Sequence, residues 1–567
     1  MSGYILVIAE DAVLPRLLPL FRSSETITRP LGLGRSLVCV SDAASSRATS
    51  IFQGYAIDHE RERMIFAGAA DADLPDPTAP LEGRYVTARV TDTEVTCGTD
   101  SYGFVPMVWF SDPRITAISD SYFSLITIRR ALALPRTPHV ETIRGRMWLN
   151  SMGAQQMGRE TYCREIRYAT PGTTLHVDTI RGTTTERPCD LRAFYTRVFD
   201  THAEAVRESA ERMVRTIKTY AASGGLTTLG LSGGTDSRLC LAAALAADIG
   251  ESLQISCTNN ATRSNKIRDY AVAVELSERF GFPLNSSRTD INGTLQRNDL
   301  LRGWASASMG IYDALYMPQH FRERDVAVFA IGGQGAEISK GNYGWRTLAA
   351  INMPPEALAQ SQRALAAIGV DPDDPWGSEW HYLAFRNAIH GGRGILSSDY
   401  LARPAAQIPL IGLSRSPLND LPAPRKASPS IILDTLITLN PDLAMQPYDD
   451  PRKQPTAAYV SERLQRLGGH VPVIALEPYT CVGMPRSSNG TLGTHTDLAD
   501  AAGFTGDLDP KTLLPLADQP RRQARELIPE DVHQRIEALD PSSTARIGAA
   551  SREGVALGKL IALGTLL

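Results

Sequence analysis

Hydrophobic and polar residues alternate in short runs through the first third of the chain. Tyr4 to Ala9, Leu37 to Val40, Arg84 to Val90, Met107 to Phe110, Ile115 to Ile118 and Thr173 to Val177 are β-prone and bounded by turn residues. Strands of that length and spacing predict stacked sheets. Helical candidates intervene at 41–52 and 119–132. Near 190–200 the period changes: Ala205, Ala210, Met213, Val214, Ile217 and Tyr220 recur at helical spacing,. The change sets an expected division into residues 1–195 and 196–567.

Past that point strands alternate with helices. Apolar runs at 227–231, Leu253 to Cys257 and Val326 to Ile331 are separated by helical segments at Asp236–Ala247 and near 265–280. Such alternation predicts a parallel sheet that binds ligands at the carboxyl ends of its strands. From 350 onward the pattern is mainly helical, broken by Pro-rich turns at 403–430 and 447–455, and no internal repeat occurs.

At the end of the first of these strands lies LTTLGLSGGTDSRLCLAAALAADIG, residues 226–250. Ser232, Gly233 and Gly234 can turn tightly and direct successive N–H groups into one concavity, and the following helix adds the positive end of its dipole. That is an anion site. Asp236 and Ser237 read as helix-opening residues and Gly250 as the closing one,. The lysine of GxxxxGK[ST] is absent, so the loop is not a Walker P-loop. A second glycine loop, Gly332-Gly333-Gln334-Gly335-Ala336-Glu337, follows the third strand candidate and leads to Gly341-Asn342-Tyr343.

Composition narrows the class. A chain of 567 residues is too long for one ordinary core, while 43% hydrophobic and 21% charged residues describe a globular protein,. A net charge of −4 gives no electrostatic footprint for nucleic acid,. Seven scattered cysteines without a CxxC pair argue for a reducing compartment and against a zinc knuckle,. The start has no basic segment ahead of its apolar run, and no uninterrupted apolar stretch would cross a bilayer,. The expected location is the cytoplasm, with no membrane or nucleic-acid partner.

The pattern Ser-Gly-Gly-x-Asp-Ser resembles the pyrophosphate loop of the ATP pyrophosphatases, the group that includes class B asparagine synthetases, β-lactam synthetases and lasso peptide cyclases. The resemblance implies ATP and Mg²⁺. Leu231, Ser232, Gly233, Gly234, Asp236, Ser237, Cys257 and Gly333 would line the nucleotide, with the backbone near Leu231 and Cys257 facing adenine. In the same family SGEGSDE followed by GGY stands where this chain has GGQGAEI and GNY. Glu337 thereby falls on the second metal-bearing acid beside Asp236, although Gln334 replaces an acid and Ala336 a serine. Two carboxylates suit a cation that takes a few hard oxygens besides phosphate and water. Arg415-Ser416-Pro417-Leu418-Asn419-Asp420 resembles the R-x-P-F-L-D segment, which implies a structural role, lining the site or buttressing the sheet. A lysine from the C-terminal part is implied as catalytic; Lys453, in PYDDPRKQP, is the choice over Lys426. Tyr312, next to Asp313, is the candidate for amine deprotonation.

Gly83-Arg84-Tyr85, Asp100 to Pro106, Ile118-Ser119-Asp120 and Pro171-Gly172 are similar to the glutaminase domain of asparagine synthetases. The resemblance implies an α/β chain: an N-terminal αββα sandwich of glutaminase type, then a parallel-sheet ATP pyrophosphatase domain with a helical C-terminal part. A glutaminase of this kind needs a cysteine at position 2 as nucleophile, and this chain has Ser2. The N-terminal part is therefore expected to be an inactive scaffold, and the amine must come with the substrate. The whole pattern looks most like a lasso peptide cyclase, which joins the N-terminal amine of a precursor peptide to an Asp or Glu side chain. A leader peptidase or leader-binding protein of the same pathway is an implied partner. A β-lactam-type or other small-molecule amide synthetase is the alternative within the fold, and an inactive scaffold the alternative outside catalysis.

Overall fold

The computed structural model describes residues 3–21, 26–41, 45–46, 49–196, 199–259, 264–286, 293–294, 299–316, 320–321, 326–392, 400–421, 430–486 and 495–567. Two sheets dominate the N-terminal half. One runs in the order Arg167–Ala169, Met107–Asp112, Ile115–Ser119, Tyr4–Glu10, Arg35–Ser41, Thr26–Pro30. The other runs Thr183–Arg187, Thr174–Asp178, Glu94–Thr99, Glu82–Val90, Ser50–Asp58, Arg63–Phe66, Thr480–Val482. Side chains on a strand alternate between faces. Tyr4, Leu6 and Ile8 accordingly meet Val86, Ala88, Cys97 and Leu175 between the sheets, while Ile5, Val7 and Ala9 turn outward onto a core that includes Phe123, Leu125 and Ile128 of the helix Tyr122–Ala131. The outer face of the second sheet, through Tyr55, Ile57, Met64 and Phe66, packs on the helix His202–Ala222 and on Phe329 and Tyr400 of the parallel sheet. The helix 119–132 and all six strand candidates of the first third are thus present. The helix expected at 41–52 is not: Ser45–Ser46 and Ser50–Asp58 are strands. Every residue of Ser50–Asp58 is buried, so the strand carries no polar alternation to announce it,.

The parallel sheet has the order Leu253–Ser256, Leu226–Gly230, Val328–Ile331, Tyr400–Ala402. From Leu226–Gly230 the chain moves to the strand on one side, and it later returns to the strand on the other. The carboxyl ends of Leu226–Gly230 and Val328–Ile331 therefore flank the point where strand order reverses, which is where open α/β sheets leave a crevice. Both glycine loops emerge there.

The two halves are stitched in both directions. Helix Leu191–Tyr195 ends where the sequence pattern changes and His202–Ala222 begins shortly after it. Yet Thr480–Val482 adds a parallel edge to the N-terminal sheet, and the C-terminal helix Arg552–Gly564 shares a core with the helix Tyr122–Ala131. In the turn that follows Glu94–Thr99, the buried Asp100 carboxylate accepts from the N–H groups of Tyr102, Phe104 and Val105 at 2.9–3.0 Å. The Tyr102 hydroxyl then donates 2.7 Å to the carbonyl of Ala406, reaching the other half. No described helix is long and apolar enough to cross a membrane.

Candidate functional site

The loop helix runs Thr235–Ala247 with Gly234 as its N-cap residue. Two local expectations are corrected here. Ser237 does not cap the helix with its side chain; its hydroxyl lies 2.8 Å from that of Ser232, accepts from the Ser232 N–H at 3.0 Å and donates to the Ser232 carbonyl at 3.1 Å. The helix is closed by Asp248 in the left-handed region (φ 49°), with Gly250 beyond it, because a short polar side chain tolerates that conformation. The serine pair fastens the glycine loop to the first helical turn.

Other elements hold the loop from outside. The Gly233 N–H donates 2.9 Å to the carboxylate of Asp269 on the helix Ser264–Phe280. That acid also accepts from Lys266 at 2.9 Å. The Gly233 carbonyl accepts from the Asp449 N–H at 3.1 Å, and a Cβ on Gly233 would stand 2.5 Å from the Cβ of Asp449. Asp449 in turn binds the ammonium of Lys453 at 2.8 and 3.1 Å. Lys453 thus stands one carboxylate away from the loop. Lys426 lies outside the described residues.

The reach of Asp449 is explained by Arg238, on the buried face of the loop helix. Its guanidinium donates to the carbonyls of Leu443, Gln446 and Pro447 and lies 3.6 Å from the centre of the Tyr448 ring. One buried cation therefore anchors the segment that ends in Asp449 and Lys453.

Gly333 is packed on the same helix start: a Cβ there would lie 2.8 Å from the Cβ of Asp236 and 2.9 Å from the N atom of Ser237. Only glycine lets the two loops approach this closely. Glu337 follows on the helix Ala336–Lys340, its carboxylate accepting 3.0 Å from the Gly335 N–H. Burial, and then the negative charge of Asp236, raise the Glu337 carboxyl above its ordinary value, the response of two acids facing one space. The other oxygen of Asp236 pairs with the ammonium of Lys340, while its Oδ1 is buried without a hydrogen-bond partner among the described residues. An orphaned carboxylate oxygen next to a second acid fits a small divalent cation with oxygen ligands.

Behind Glu337, Arg415 donates to the carbonyls of Ile338 and Glu379 at 3.0 Å each and lies over the Trp345 and Trp380 rings. The buried Glu379 carboxylate gathers the N–H groups of Asn342, Tyr343 and Gly344. The Arg415 segment is a buttress for the Glu337 loop. Asp420, five residues on, belongs elsewhere: with His202 and Asp434 it forms a group whose spacing could hold a metal, but the Arg463 guanidinium fills it, 2.6 Å from Asp434 and 2.9 Å from Asp420.

Leu231 and Cys257 sit on adjacent strand ends, Leu231 donating its N–H to the Ser256 carbonyl at 2.8 Å. The Cys257 N–H and carbonyl are both engaged by the side-chain amide of Asn285, at 3.0 and 3.1 Å. Tyr312 packs against the cluster of Ala154, Ala314 and Val555 and edge-on to His390. Its neighbour Asp313 is fully buried and gives Oδ2 to Arg146 at 2.7 Å, Lys559 at 3.1 Å and Tyr162 at 3.3 Å, so that acid serves an ion cluster. Ser2 lies outside the described residues. Its neighbour Gly3 abuts His495 and Asp120, where a Cβ would stand 1.9 Å from His495 Nε2.

Sequence reading missed Asp269, Lys340, Asp449 and Arg238. Lys340 had a local signal, since it follows Glu337 by one helical turn; the other three act across distances in sequence that no pattern reports.

No known family model matches this chain, and no curated protein matches it. Among solved structures it is similar to glutamine phosphoribosylpyrophosphate amidotransferase from B. subtilis complexed with ADP and GMP, at 10% identity and a TM-score of 0.20 over 60% of this chain and 77% of that one. It is similar as well to a structure described as the allosteric regulatory enzyme of purine biosynthesis, at 10% identity and a TM-score of 0.20 over 63% and 78%. A TM-score of 0.20 is too low to infer a shared fold.

Proposed function

We propose that this chain is an AMP-forming ligase that makes an amide bond: the side-chain carboxylate of an Asp or Glu in a precursor peptide is activated with ATP and attacked by the peptide's own N-terminal amine, giving a lasso-type macrolactam, AMP and pyrophosphate. The observation that carries the reading is the convergence of two glycine loops at the switch point of a parallel sheet, where Gly333 packs on the helix start that bears Asp236, Glu337 follows four residues on, and Asp236 Oδ1 is buried without a hydrogen-bond partner among the described residues. Asp236 and Glu337 are the residues that would hold Mg²⁺, which when bound supplies charge neutralisation at the phosphates.

The chain's own groups supply the rest. Gly234 and the first turn of the loop helix offer N–H donors at its mouth, where the dipole favours the departing anion, and the paired hydroxyls of Ser232 and Ser237 hold the loop that presents them,. Asp269 and Asp449 fix the loop so that these donors are preorganised, which is the main way a protein stabilises charge that develops in a transition state. Lys453, oriented by Asp449, is the cation available to the reacting carboxylate. On this reading the amine arrives on the substrate, as the peptide's own N-terminus.

The test is incubation of the protein with ATP, Mg²⁺ and candidate precursor peptides, followed by product analysis. AMP, pyrophosphate and a peptide lighter by one water, with the new linkage mapped by fragmentation, are expected. ADP and phosphate as the stoichiometric products would remove the adenylating reading. AMP formation driven by a small amino acid, with peptides unchanged, would assign the site to a small-molecule amide synthetase.

A further inference from the structure

A cavity of about 270 Å³ lies between the segment around Leu149–Ala154, Tyr312 and the start of the helix Arg552–Gly564. Its floor is apolar: Ala154, Ala314 and Val555 form a small buried cluster against which Leu149 and Tyr312 pack. Among the described residues its charged lining groups are both guanidinium groups, Arg386 and Arg552, and no acid lines it.

The two arginines differ in how they are held. Arg386 donates to the Ser151 carbonyl and, at 2.6 Å, to Gln155 Oε1, while its Nε is buried without a hydrogen-bond partner among the described residues. Arg552 is exposed at the first turn of its helix. Beneath the floor the ion cluster of Arg146, Lys559 and Asp313 contains two cations and one acid, so the field behind the cavity is also positive. Burial and then Arg386 push the neighbouring His390 down to about 3, leaving it neutral. The next layer leads to the loops: the Gln155 amide donates 2.9 Å to the Tyr343 hydroxyl, and Tyr343 is the residue whose N–H is gathered by Glu379 behind Glu337.

From this arrangement we infer that the cavity binds a carboxylate carried on a small apolar body, with Arg386 and Arg552 as its anion-recognising groups and Ala154, Ala314 and Val555 as its apolar seat. Guanidinium groups are the side chains best matched to a carboxylate, and an apolar floor strengthens the pairing by excluding water. The volume lies at the small end of ligand pockets, about 300 Å³ and upward, which suits an amino-acid-sized group and not a nucleotide. No residue of either glycine loop is among the described residues that line this site, and binding there does not depend on the proposed reaction.

The experiment measures binding by the full-length protein without ATP or metal, using isovalerate as probe and isovaleramide and inorganic phosphate as comparisons, by ligand-observed NMR and calorimetry. Isovalerate should bind, the amide should bind at least about tenfold more weakly, and Arg386→Gln should lose at least about tenfold in isovalerate affinity. Arg552→Gln, at an exposed position whose loss leaves the fold in place, should weaken binding as well. Equal binding of the acid and its amide, equal affinity in both variants, or binding of phosphate alone would overturn the inference. Because nucleotide is absent, none of these outcomes bears on the ligase reading.

Discussion

The ammonium of Lys340 is paired with the carboxylate of Asp236 across the gap between the two glycine loops. A lysine one helical turn beyond Glu337 therefore supplies positive charge at the place where two acids face each other. On the ligase reading it is a resident counter-cation that the metal must displace. Lys340→Met is expected to tighten Mn²⁺ binding by about three- to tenfold, the range of one partly exposed ion pair of about 1 kcal/mol, as read by electron paramagnetic resonance without nucleotide. Unchanged or weaker metal binding would show that Lys340 does not compete for Asp236.

Removing either acid should act on chemistry and not on folding. Asp236→Ala and Glu337→Ala are expected to keep the wild-type melting profile while lowering AMP formation by ~10² or more, the scale of losing a positioned electrostatic group. Near-normal turnover in either soluble variant would sink the assignment of these residues.

Gly333→Ala tests the close approach directly. A methyl group would fall within 3 Å of Asp236 and Ser237, so the loops must separate. The expected outcome is weaker ATP binding with only a modest loss of stability, whereas wild-type nucleotide affinity would mean the second loop takes no part in the site.

Arg238 was invisible to pattern reading because a cation in an apolar helix looks like an exception until its carbonyl partners are known. Arg238→Met leaves the half-buried carbonyls of Gln446 and Pro447 without this donor, while Leu443 keeps the Gln446 N–H, and should cost about 1–3 kcal/mol in urea unfolding. A loss below about 0.5 kcal/mol would show that the 443–449 segment is anchored by other contacts.

The glycine loops, by contrast, were legible because close backbone approach and tight turns are encoded in residue type. Gly233 and Gly333 both occupy positions where a Cβ would collide. The parallel sheet was legible for a related reason, through alternating strands and helices. What escaped was charge acting at long range: Asp269 and Asp449 reach the loop from separate elements, and Asp313, which sequence reading paired with Tyr312, is committed to Arg146 and Lys559. The strand Ser50–Asp58 escaped because a strand buried on both faces shows no period,.

Acid should destabilise the fold through its buried histidines. His381 is fully buried, its Nε2 lies 2.8 Å from the Met157 carbonyl, and burial pushes it from 6.5 down to about 4. The unfolded chain takes up this proton near pH 6.5 and the folded chain only near pH 4. Stability is therefore lost as pH falls through that window, at up to about 1.4 kcal/mol per pH unit for each such group. His381→Gln, which retains a donor for the carbonyl, should flatten the slope by one proton in urea titrations between pH 4 and 6.5. An identical slope in the variant would show that His381 is not the group responsible.

The strand Thr480–Val482 has a consequence for synthesis. It covers the edge of Arg63–Phe66, but the ribosome delivers it only after the whole parallel sheet has been made. At roughly 5–20 residues per second, the N-terminal sheet waits tens of seconds with backbone donors and acceptors open to any passing chain. The nascent protein is expected to depend on a holding chaperone through that interval, and full-length Thr480→Pro, which removes the N–H donated to the Glu62 carbonyl, should self-associate on size-exclusion chromatography where the wild-type chain does not.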